Sequence, residues 1–447
     1  MSWSEQEFSG ADLGDARLKK RLMLISNTLS NAPEASIPGA CGSWGETQGT
    51  YRFLSHADDP EHPLGWEHIL TPHSDATLER MREFPLLLCL QDTTELNFNG
   101  QQIKGLGPLS YESQRGMYLH PTYVVTPNHE PLGVLDLWMW AREPKDSDGN
   151  RPGLKESRRW TEGYERVAER AEELPGVRLV YVADRESDLF ELMHRAHELG
   201  HPADYVLRSK HDRALPEGGR LWASVKSDEP MGQIEFKMPA RNNQPERTVR
   251  QQIWVRTCQI SGGKKCTLTV TCVIACEINP PEGVKPLEWR LLTNRSVETL
   301  GQAMEIIDWY RCRWDIEVFF HVLKNGCRVE ALQLSTRARL ELALGIYLVV
   351  AWRVAYMQRM GRTNPHLPAR VVFSQEEWRA AYILNKKKPP EEEPSIQEVV
   401  RLVARLGGFL GRKCDGEPGV KTLWRGYRRV RTFVEGLQNL RQLGIEG

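Results

Sequence analysis

The first apolar pattern along the chain is that of a helix. Between residues 10 and 31, leucine and isoleucine recur every three or four positions, and arginine and lysine occupy the opposite face. A second, shorter helix is predicted over residues 44–56. We therefore expect a small helical module over residues 1–72. Its basic face fits either a solvated surface or a surface that contacts DNA, and the residues alone leave both open.

After residue 72 the pattern changes to near-continuous apolar runs. Two of them, "LLLCLQD" and "RLVYVAD", end in Asp92 and Asp184. Such runs are typical of strands that are covered on both faces of a sheet. Alternating apolar and polar residues between about 214 and 295 then predict a β-rich block. Helical patterns return at Val297, and the linker-like segment "NKKKPPEEEPS" precedes two further helices.

Composition places the chain among globular proteins of more than one domain. It has 447 residues, 40% of them hydrophobic, and 59 basic side chains balance 59 acidic ones. The net charge of zero therefore neither indicates nor excludes a polyanionic partner, because such a partner binds local clusters of basic residues. Nine cysteines without a CxxC pair predict reduced core thiols. We expect no signal peptide and no membrane span, and place the protein in the cytoplasm, bound to the nucleoid.

Asp92 and Asp184 occupy the same position relative to their strands. A carboxylate at the end of a buried strand is held rigidly at the edge of the sheet, and two neighbouring strands would bring both groups to one divalent ion. Magnesium prefers such hard oxygen ligands and keeps several waters, so few carboxylates suffice. The alternative is that each aspartate caps a turn or the following helix, as "DTT" and "DRESD" allow.

A third acid lies on a predicted helix within "DWYRCRWDIEVFFHVLKNG", residues 308–326. At a step of about 100° per residue, four side chains of this segment fall within about 60° of one another. They are Tyr310, Arg313, Glu317 and Lys324. Glu317 could complete a metal site with the two aspartates while the cations hold phosphates, an arrangement suited to in-line phosphoryl transfer. The alternative is a surface stripe of salt bridges, but the aromatic neighbours indicate a packed helix.

These four residues also form a family signature. The pattern Tyr-x-x-Arg-x-x-x-Glu-x-x-x-x-x-x-Lys resembles the signature helix of the insertion-sequence-four transposases, in particular their transposon-five branch. The similarity covers nearly the whole chain, because further segments occur in the family's order. These are "LGDARLKKR", "TQGTYRFL", "QDTTEL", "ADRESD", "VLRSKH", "EINPPEG", "LEWRLLT" and "ARLGGF".

The resemblance implies an α/β fold with an RNase H-like catalytic core, a mixed five-stranded sheet flanked by helices. The implied core covers residues 73–375, with the β-rich block at about 214–295 as an insertion. An N-terminal helical DNA-binding domain would occupy residues 1–72, and a C-terminal helical dimerisation region residues 376–447. Asp92, Asp184 and Glu317 would be the Asp-Asp-Glu triad, both as catalytic residues and as metal ligands.

The implied activity is cut-and-paste transposition of DNA. Water cleaves one strand at the element's end, and the freed 3′-hydroxyl attacks the opposite strand to form a hairpin. Water reopens the hairpin, and the 3′-hydroxyl then joins target DNA. The implied cofactor is Mg²⁺, for which Mn²⁺ can substitute, with two ions per site. The implied partners are double-stranded DNA, as transposon ends and as target, and a second copy of the chain in a homodimeric synaptic complex.

The resemblance also implies DNA contacts outside the triad. Trp289 would hold a flipped base during hairpin formation, although without the resemblance it would be assigned to the core of a strand. Asn31 and Ala32 depart from the family's pattern, which predicts a different end-sequence specificity. His321 stands where the family has lysine, which puts one phosphate contact in doubt. The other implied DNA-binding residues are Arg21, Arg52, Arg208, Lys210, Arg213, Tyr310, Arg313 and Lys324.

Two other functions remain open on the sequence. One is a non-catalytic DNA-binding regulator that pairs with a transposase and inhibits it, which the intact acids and the N-terminal module disfavour. The other is an RNase H-like nuclease adopted by the host, with no element of its own. Inverted repeats flanking the gene would distinguish an active transposase from both.

Overall fold

The computed structural model describes residues 3–153, 155–238, 246–262, 266–412 and 415–444. Helices precede the first strand: α1 (Trp3–Phe8), α2 (Ala16–Asn31), α3 (Ile37–Ala40), α4 (Trp44–Ser55) and α5 (Glu67–Met81). The helix predicted from residue 10 begins only at Ala16. Asp15 caps it there, because its side chain accepts a hydrogen bond from the backbone N–H of Arg17.

Helix α5 crosses the boundary predicted for the N-terminal module, since Pro72 lies inside it. The hydroxyl of Ser74 on this helix donates a hydrogen bond to the backbone oxygen of Leu135 on a strand of the sheet. Leu22 of α2 belongs to the same hydrophobic core as the inner strands. The N-terminal helices and the sheet therefore share one core, and residue 72 marks no break between them.

The described strands form one sheet. The strands are β1 (Leu86–Gln91), β2 (Thr94–Asn97), β3 (Gly107–Pro108), β4 (Arg115–Val125), β5 (Pro131–Trp140), β6 (Arg178–Ala183), β7 (Asp204–Arg208), β8 (Gly232–Met238), β9 (Arg247–Ser261), β10 (Thr267–Glu277) and β11 (Glu288–Thr293). Their order is β2-β4-β1-β6-β7-β11-β10-β9-β8, with β3 and β5 paired to β4. β6 pairs in parallel with β1 and β7, and the other pairs are antiparallel.

The predicted β-rich block is the far half of this sheet. β8 to β11 form an antiparallel series, and β11 joins it to β7. Cys258 on β9 and Cys272 on β10 are buried, and the cysteines within the described residues are free thiols, as predicted. Three helices lie between strands in the sequence: α6 (Arg158–Glu173), α7 (Phe190–Glu198) and α8 (Leu221–Lys226).

The chain after the sheet is helical. Its helices are α9 (Leu300–Cys312), α10 (Trp314–His321), α11 (Arg337–Thr363), α12 (Gln375–Leu384), α13 (Ile396–Leu406) and α14 (Val420–Gln442). The prediction of one regular helix over 308–326 is wrong. The helix is interrupted at Arg313, whose backbone N–H donates to the backbone oxygen of Tyr310, three residues earlier. A π-helical turn then covers Val322–Gly326. The regular 100° rotation per residue therefore does not hold as far as Lys324, and the predicted stripe of four side chains does not extend to this lysine.

By length and composition alone, α11 could cross a membrane. However, 83% of its most apolar window is buried inside the fold. Trp352 on this helix donates its indole N–H to the backbone oxygen of Pro131, at the start of β5. Its apolar surface is thus covered by the sheet and the surrounding helices, as in the central helix of a protein core.

Candidate active site

The register of two parallel strands places Asp92 beside Asp184. Gln91, the last residue of β1, lies opposite Ala183, the last residue of β6. The strand interiors are buried, which fixes both ends in the sheet. The two carboxylates therefore leave the sheet at the same edge, on adjacent strands.

Glu317 reaches this edge from α10 through an arginine. Arg313 donates from Nη1 to Oδ2 of Asp92 at 2.8 Å and from Nη2 to Oε1 of Glu317 at 2.7 Å. The Arg313 side chain is only 5% exposed, although its partners are more open to solvent. A nearly buried guanidinium thus bridges the first and third predicted acids.

Asp184 is held from its other side. The hydroxyl of Tyr310 donates to Oδ1 of Asp184 at 2.9 Å, and Nη1 of Arg208 lies 3.6 Å from the same oxygen. Nη1 of Arg208 also donates to the Tyr310 hydroxyl at 3.3 Å. Burial raises the pKa of Tyr310 to about 12, and the charge of Asp184 adds to this effect. The phenol therefore keeps its proton and remains a hydrogen-bond donor at neutral pH.

The acids at this edge outnumber the cations that contact them. Burial raises the pKa of Asp92 to about 6; Asp184 and Glu317 add to the rise, and Arg313 opposes it only in part. For Arg313 burial works to lower the pKa, but the neighbouring Tyr310 and acids outweigh it and the pKa is raised. The guanidinium therefore stays charged, and the remaining negative charge favours a cation at this edge.

The three carboxylates converge without forming a tight cluster. Across the described ranges, the three ligand-type side chains whose atoms all lie within 4.8 Å of one another are His129, Cys312 and Asp315, so the triad's oxygens are spread more widely. The chemistry of the donor set still fits a hard divalent cation, because three carboxylates on rigid elements supply only oxygen ligands.

Three family models match the chain. Transposase DNA-binding matches residues 1–58, Transposase DDE domain matches residues 161–353, and Transposase Tn5 dimerisation domain matches residues 349–447. The chain is a Tn5-like DDE transposase. The three domains follow one another in the order predicted from the sequence, and DDE transposases generally use divalent metal ions.

The DDE model spans Asp184 and Glu317, whereas Asp92 lies before its start. Among solved structures, the cryo-EM structure of the piggyBac transposase synaptic complex with hairpin DNA aligns with 99% of this chain and 83% of that chain. The two share 8% sequence identity and a TM-score of 0.38.

Trp289 lies on β11 beside the acids and is packed rather than open. It is 8% exposed. Its ring stacks on Phe236 of β8 with centroids 5.8 Å apart, and its edge meets Tyr310 at 6.5 Å. Trp289 is therefore a core residue in this state of the transposase, and stacking on a DNA base requires a neighbouring ring such as Phe236 to move.

Three basic residues predicted to bind DNA, two after β7 and one after α10, differ in their contacts and exposure. Nη1 of Arg213 lies 2.6 Å from Oδ1 of the buried Asp188, and Arg213 is 12% exposed. The backbone N–H of Lys210 donates to the other oxygen of Asp188 at 2.6 Å, while the Lys210 side chain is exposed. Lys324 is half-buried in the π-helical turn. Of these three, Lys210 is the most open to a phosphate.

The remaining predicted DNA contacts lie on the N-terminal helices, away from the triad. Arg52 is exposed on α4. Arg21 on α2 packs its guanidinium against Gly49 of α4, where an added Cβ would come within 2.7 Å of Nη1 and would displace the end of the arginine side chain. Asn31 is engaged with α14: it accepts a hydrogen bond from Arg431 at 2.7 Å and donates one to Glu435 at 2.5 Å.

Sequence reasoning missed the residues that support the two aspartates. Arg159 of α6 is 6% exposed; its Nε donates to Oγ1 of Thr93 at 3.3 Å and its Nη2 to Glu186 at 3.4 Å. His120 of β4 contacts the same Thr93 hydroxyl at 3.0 Å. The contacts join residues far apart in the chain, so no local pattern could have revealed them.

Proposed function

We propose that this protein is a cut-and-paste DNA transposase. It binds the ends of its element, cleaves them by metal-dependent phosphoryl transfer through a hairpin intermediate, and joins the 3′-hydroxyl ends to target DNA. One observation carries the proposal: Asp92 and Asp184 end adjacent parallel strands, and Arg313 links the first of them to Glu317. Rigid acids for a metal, with cations beside them for phosphate, are what phosphoryl transfer requires.

We assign the catalytic part to an RNase H-like core over residues 73–375. The strand order β5-β4-β1-β6-β7 supports this assignment, since β4 and β5 are antiparallel in series and β6 and β7 run parallel to β1. β8 to β11 are then the insertion that precedes the Glu317 helix. We place the DNA-binding domain at 1–72 and the dimerisation region at 376–447, and family models that match residues 1–58 and 349–447 support this order.

Asp92, Asp184 and Glu317 would hold the metal: Mg²⁺, or Mn²⁺ in its place, at two ions per site. When bound, the ions activate the attacking oxygen and stabilise the leaving one. Arg313 keeps its charge when buried, so it orients Asp92 and Glu317 and attracts the phosphate between them. Tyr310 keeps its proton and can donate a hydrogen bond to a phosphate oxygen as well as to Asp184.

The DNA partners are assigned to two surfaces. Arg21 and Arg52 of the N-terminal module bind the end sequence. Arg208, Lys210, Arg213, Lys324 and Trp289, around the strand ends, bind the DNA that is cut. A homodimer holds two ends in the synaptic complex, so that each subunit binds one end and cuts the other. These roles place the protein in the cytoplasm, on the nucleoid.

The test is a cleavage assay on end-labelled DNA that carries the element's end, with Mg²⁺, Mn²⁺ or EDTA. We expect metal-dependent nicking followed by a hairpin product. Asp92→Asn should lower the nicking rate by more than roughly 100-fold, since even residues behind a metal ligand are worth 10- to 100-fold. Binding of the end in a gel-shift assay should be retained.

Asp136→Asn is the matched control. Asp136 also pairs with an arginine, Arg166, at 2.6 Å and has similar exposure, but it lies on β5 outside the triad. It should cleave like the wild type. Cleavage by Asp92→Asn at the wild-type rate would refute the triad. End binding without cleavage by the wild type would favour the regulator, and cleavage without preference for the end would favour a host nuclease.

A further inference from the structure

His129 has an uncommon backbone conformation in the turn between β4 and β5. Its φ is 68°, in the left-handed region that few residues other than glycine adopt. Backbone hydrogen bonds close the turn, since the N–H of His129 and the oxygen of Thr126 lie 2.9 Å apart and Thr126 also bonds to Glu130. A strained residue persists when its surroundings fix it, and such residues cluster at functional sites.

Side chains from the junction of α9 and α10 contact both nitrogens of the His129 ring. Nδ1 donates to Oδ2 of Asp315 at 2.6 Å, because a carboxylate can only accept. In the neutral ring, the form that binds a metal, that bond places the proton on Nδ1 and leaves the lone pair on Nε2, which lies 4.0 Å from Sγ of Cys312. A carboxylate that orients histidine in this way is the usual outer partner of a metal-bound imidazole.

The distance between Nε2 and Sγ suits a metal ion between them. With bonds of about 2.0–2.1 Å to nitrogen and about 2.3 Å to sulfur, tetrahedral zinc holds the two atoms about 3.6 Å apart. The observed 4.0 Å needs a contraction of a few tenths of an ångström. Asp315 is 5% exposed and also ion-paired with Arg359, so it is anchored behind the ring.

An open cavity of about 610 Å³ lies on the His129 side of this pair, while Cys312 is buried behind it. His129 and Asp308 both line it. Asp308 lies one helical turn before Cys312 on α9, so the two side chains share a face of the helix. Asp308 is exposed and pairs with Arg311 at 2.8 Å. Released from that surface pair, it can supply a third ligand, with water as the fourth.

The local charges are compatible with a cation here. Burial raises the pKa of Cys312 to about 12, and the negative charges of Asp315 and Asp308 raise it further, against Arg359 and Arg311. A simpler account leaves the thiol as a weak donor to the backbone oxygen of Pro127 at 3.6 Å. The thiol can also donate a weak hydrogen bond to Nε2 at 4.0 Å, a contact that a metal ion between the two atoms would replace.

We propose that His129, Cys312 and Asp308 form a zinc site, with Asp315 orienting His129 from behind. The ligand set of one thiolate, one imidazole and one carboxylate is chemically distinct from the all-oxygen triad. Zinc binding releases the thiol proton of Cys312 to solvent as the Zn–S bond forms. The ion ties the β4–β5 turn to the residue that immediately precedes Arg313.

The test uses the metal-stripped full-length protein with saturating Mg²⁺, which fills hard oxygen sites, followed by a titration with Co²⁺. We expect one equivalent of Co²⁺ to produce a near-ultraviolet thiolate-to-cobalt charge-transfer band, which carboxylates cannot produce. Excess Zn²⁺ should abolish the band, and Zn²⁺ should raise the thermal unfolding temperature. Cys312→Ser should abolish the band. His129→Asn, which tolerates the positive φ, should weaken Co²⁺ affinity at least about tenfold.

Cys276→Ser is the control, because Cys276 is a half-buried thiol on β10 away from this junction, and the band should persist in it. If Cys312→Ser does not fold, Asp308→Asn at the exposed position should still weaken Co²⁺ affinity. A wild type without the band, or a Cys312→Ser variant that retains it, would overturn the proposal. The band should also survive Asp92→Asn, so this result is independent of whether the triad cleaves DNA.

Discussion

A buried and a half-buried carboxylate of this transposase are each bonded to an arginine, yet their pKa values move in opposite directions. Glu7 accepts from Arg80 at 2.7 Å and from Nδ1 of His73 at 2.6 Å, and Asp92 accepts from Arg313 at 2.8 Å. Burial acts to raise the pKa of both. For Glu7 the contacts with His73 and Arg80 outweigh burial and the pKa is lowered, whereas the pKa of Asp92 is raised to about 6.

The difference lies in how the arginines are shared. Arg80 directs two nitrogens to Glu7 and completes its bonds with neutral oxygens. Arg313 divides its nitrogens between Asp92 and Glu317, with Asp184 close by. The cluster around Glu7 is therefore balanced and serves to hold the N-terminal helix on the core. The strand-end acids are short of positive charge, the state expected of a site that binds a cation.

The largest expected effect is a difference in the free energy of unfolding between variants of the two clusters. Glu7→Gln should lower the free energy of unfolding by about 3 kcal/mol, because removing one partner leaves buried charge without compensation. Asp92→Asn, measured in EDTA at neutral pH, should not lower it, since the substitution removes repulsion among the acids. Urea denaturation followed by circular dichroism measures both.

Glu112→Gln controls for the loss of any ion pair. Glu112 pairs with Arg151 on the surface and is half exposed, so its loss should destabilise the protein far less than the loss of Glu7. Equal destabilisation by Glu7→Gln and Asp92→Asn would show that the two clusters serve the same role.

Local patterns predicted the parts of the site that depend on one segment. The apolar runs before Asp92 and Asp184 are strands whose interiors are buried, and each strand ends immediately before its aspartate. Glu317 was predicted on a helix, and it lies on one. The β-rich block at about 214–295 was predicted from alternation; β8 to β11 lie within it, but helix α8 occupies Leu221–Lys226 near its start.

Features that depend on distant contacts were not predictable. The break at Arg313 accompanies bonds to Asp92 and Glu317 from opposite ends of its guanidinium, and Asp92 lies 221 residues away in the chain. His73 and Glu7 are 66 residues apart, and nothing near either residue marks the other as its partner. Helical spacing predicted the position of Lys324 wrongly because a π-helical turn intervenes.

Trp289 tests how far the functional region extends from the acids. Trp289→Ala should leave first-strand nicking near normal and slow hairpin formation by an amount equivalent to about 1–3 kcal/mol, the usual value of one base–aromatic stack. A denaturing gel on end-labelled DNA separates the two products. Trp254→Ala, on β9 and separated from β11 by β10, is the control and should form hairpins at the wild-type rate. Equal loss of nick and hairpin would assign Trp289 to the core alone.

The cluster around Glu7 should also make the free energy of unfolding depend on pH, through His73. Burial lowers the pKa of His73, and its Nε2 accepts a hydrogen bond from the backbone N–H of Val134 at 3.0 Å, so the folded state holds a neutral ring. Unfolding releases a histidine that takes up a proton below its ordinary value of about 6.5. The contribution of the neutral His73 to the free energy of unfolding is therefore complete above about pH 6.5 and decreases as the pH falls below that value.

The matched variant is His73→Asn, which keeps a donor towards Glu7 but cannot titrate. Between about pH 6.5 and 5 its unfolding free energy should fall less steeply than the wild type's, by up to about 1.4 kcal/mol per pH unit for one proton. His120 is also buried with a lowered pKa, so some slope remains in both proteins. Identical slopes would show that His73 is protonated in the folded state.

The smallest expected effect concerns a single charge beside the unbalanced acids. If Lys324 contacts a phosphate in the cleavage complex, Lys324→Ala should reduce the slope of log affinity against log salt concentration by about one. Filter binding of end DNA in Ca²⁺, across a series of KCl concentrations, measures the slope. Lys387→Ala removes an exposed charge after α12 and should leave the slope unchanged. An unchanged slope for both would confine the phosphate contacts to Arg313 and to the basic residues after β7, because the half-buried Lys324 would then belong to the packing of its π-helical turn.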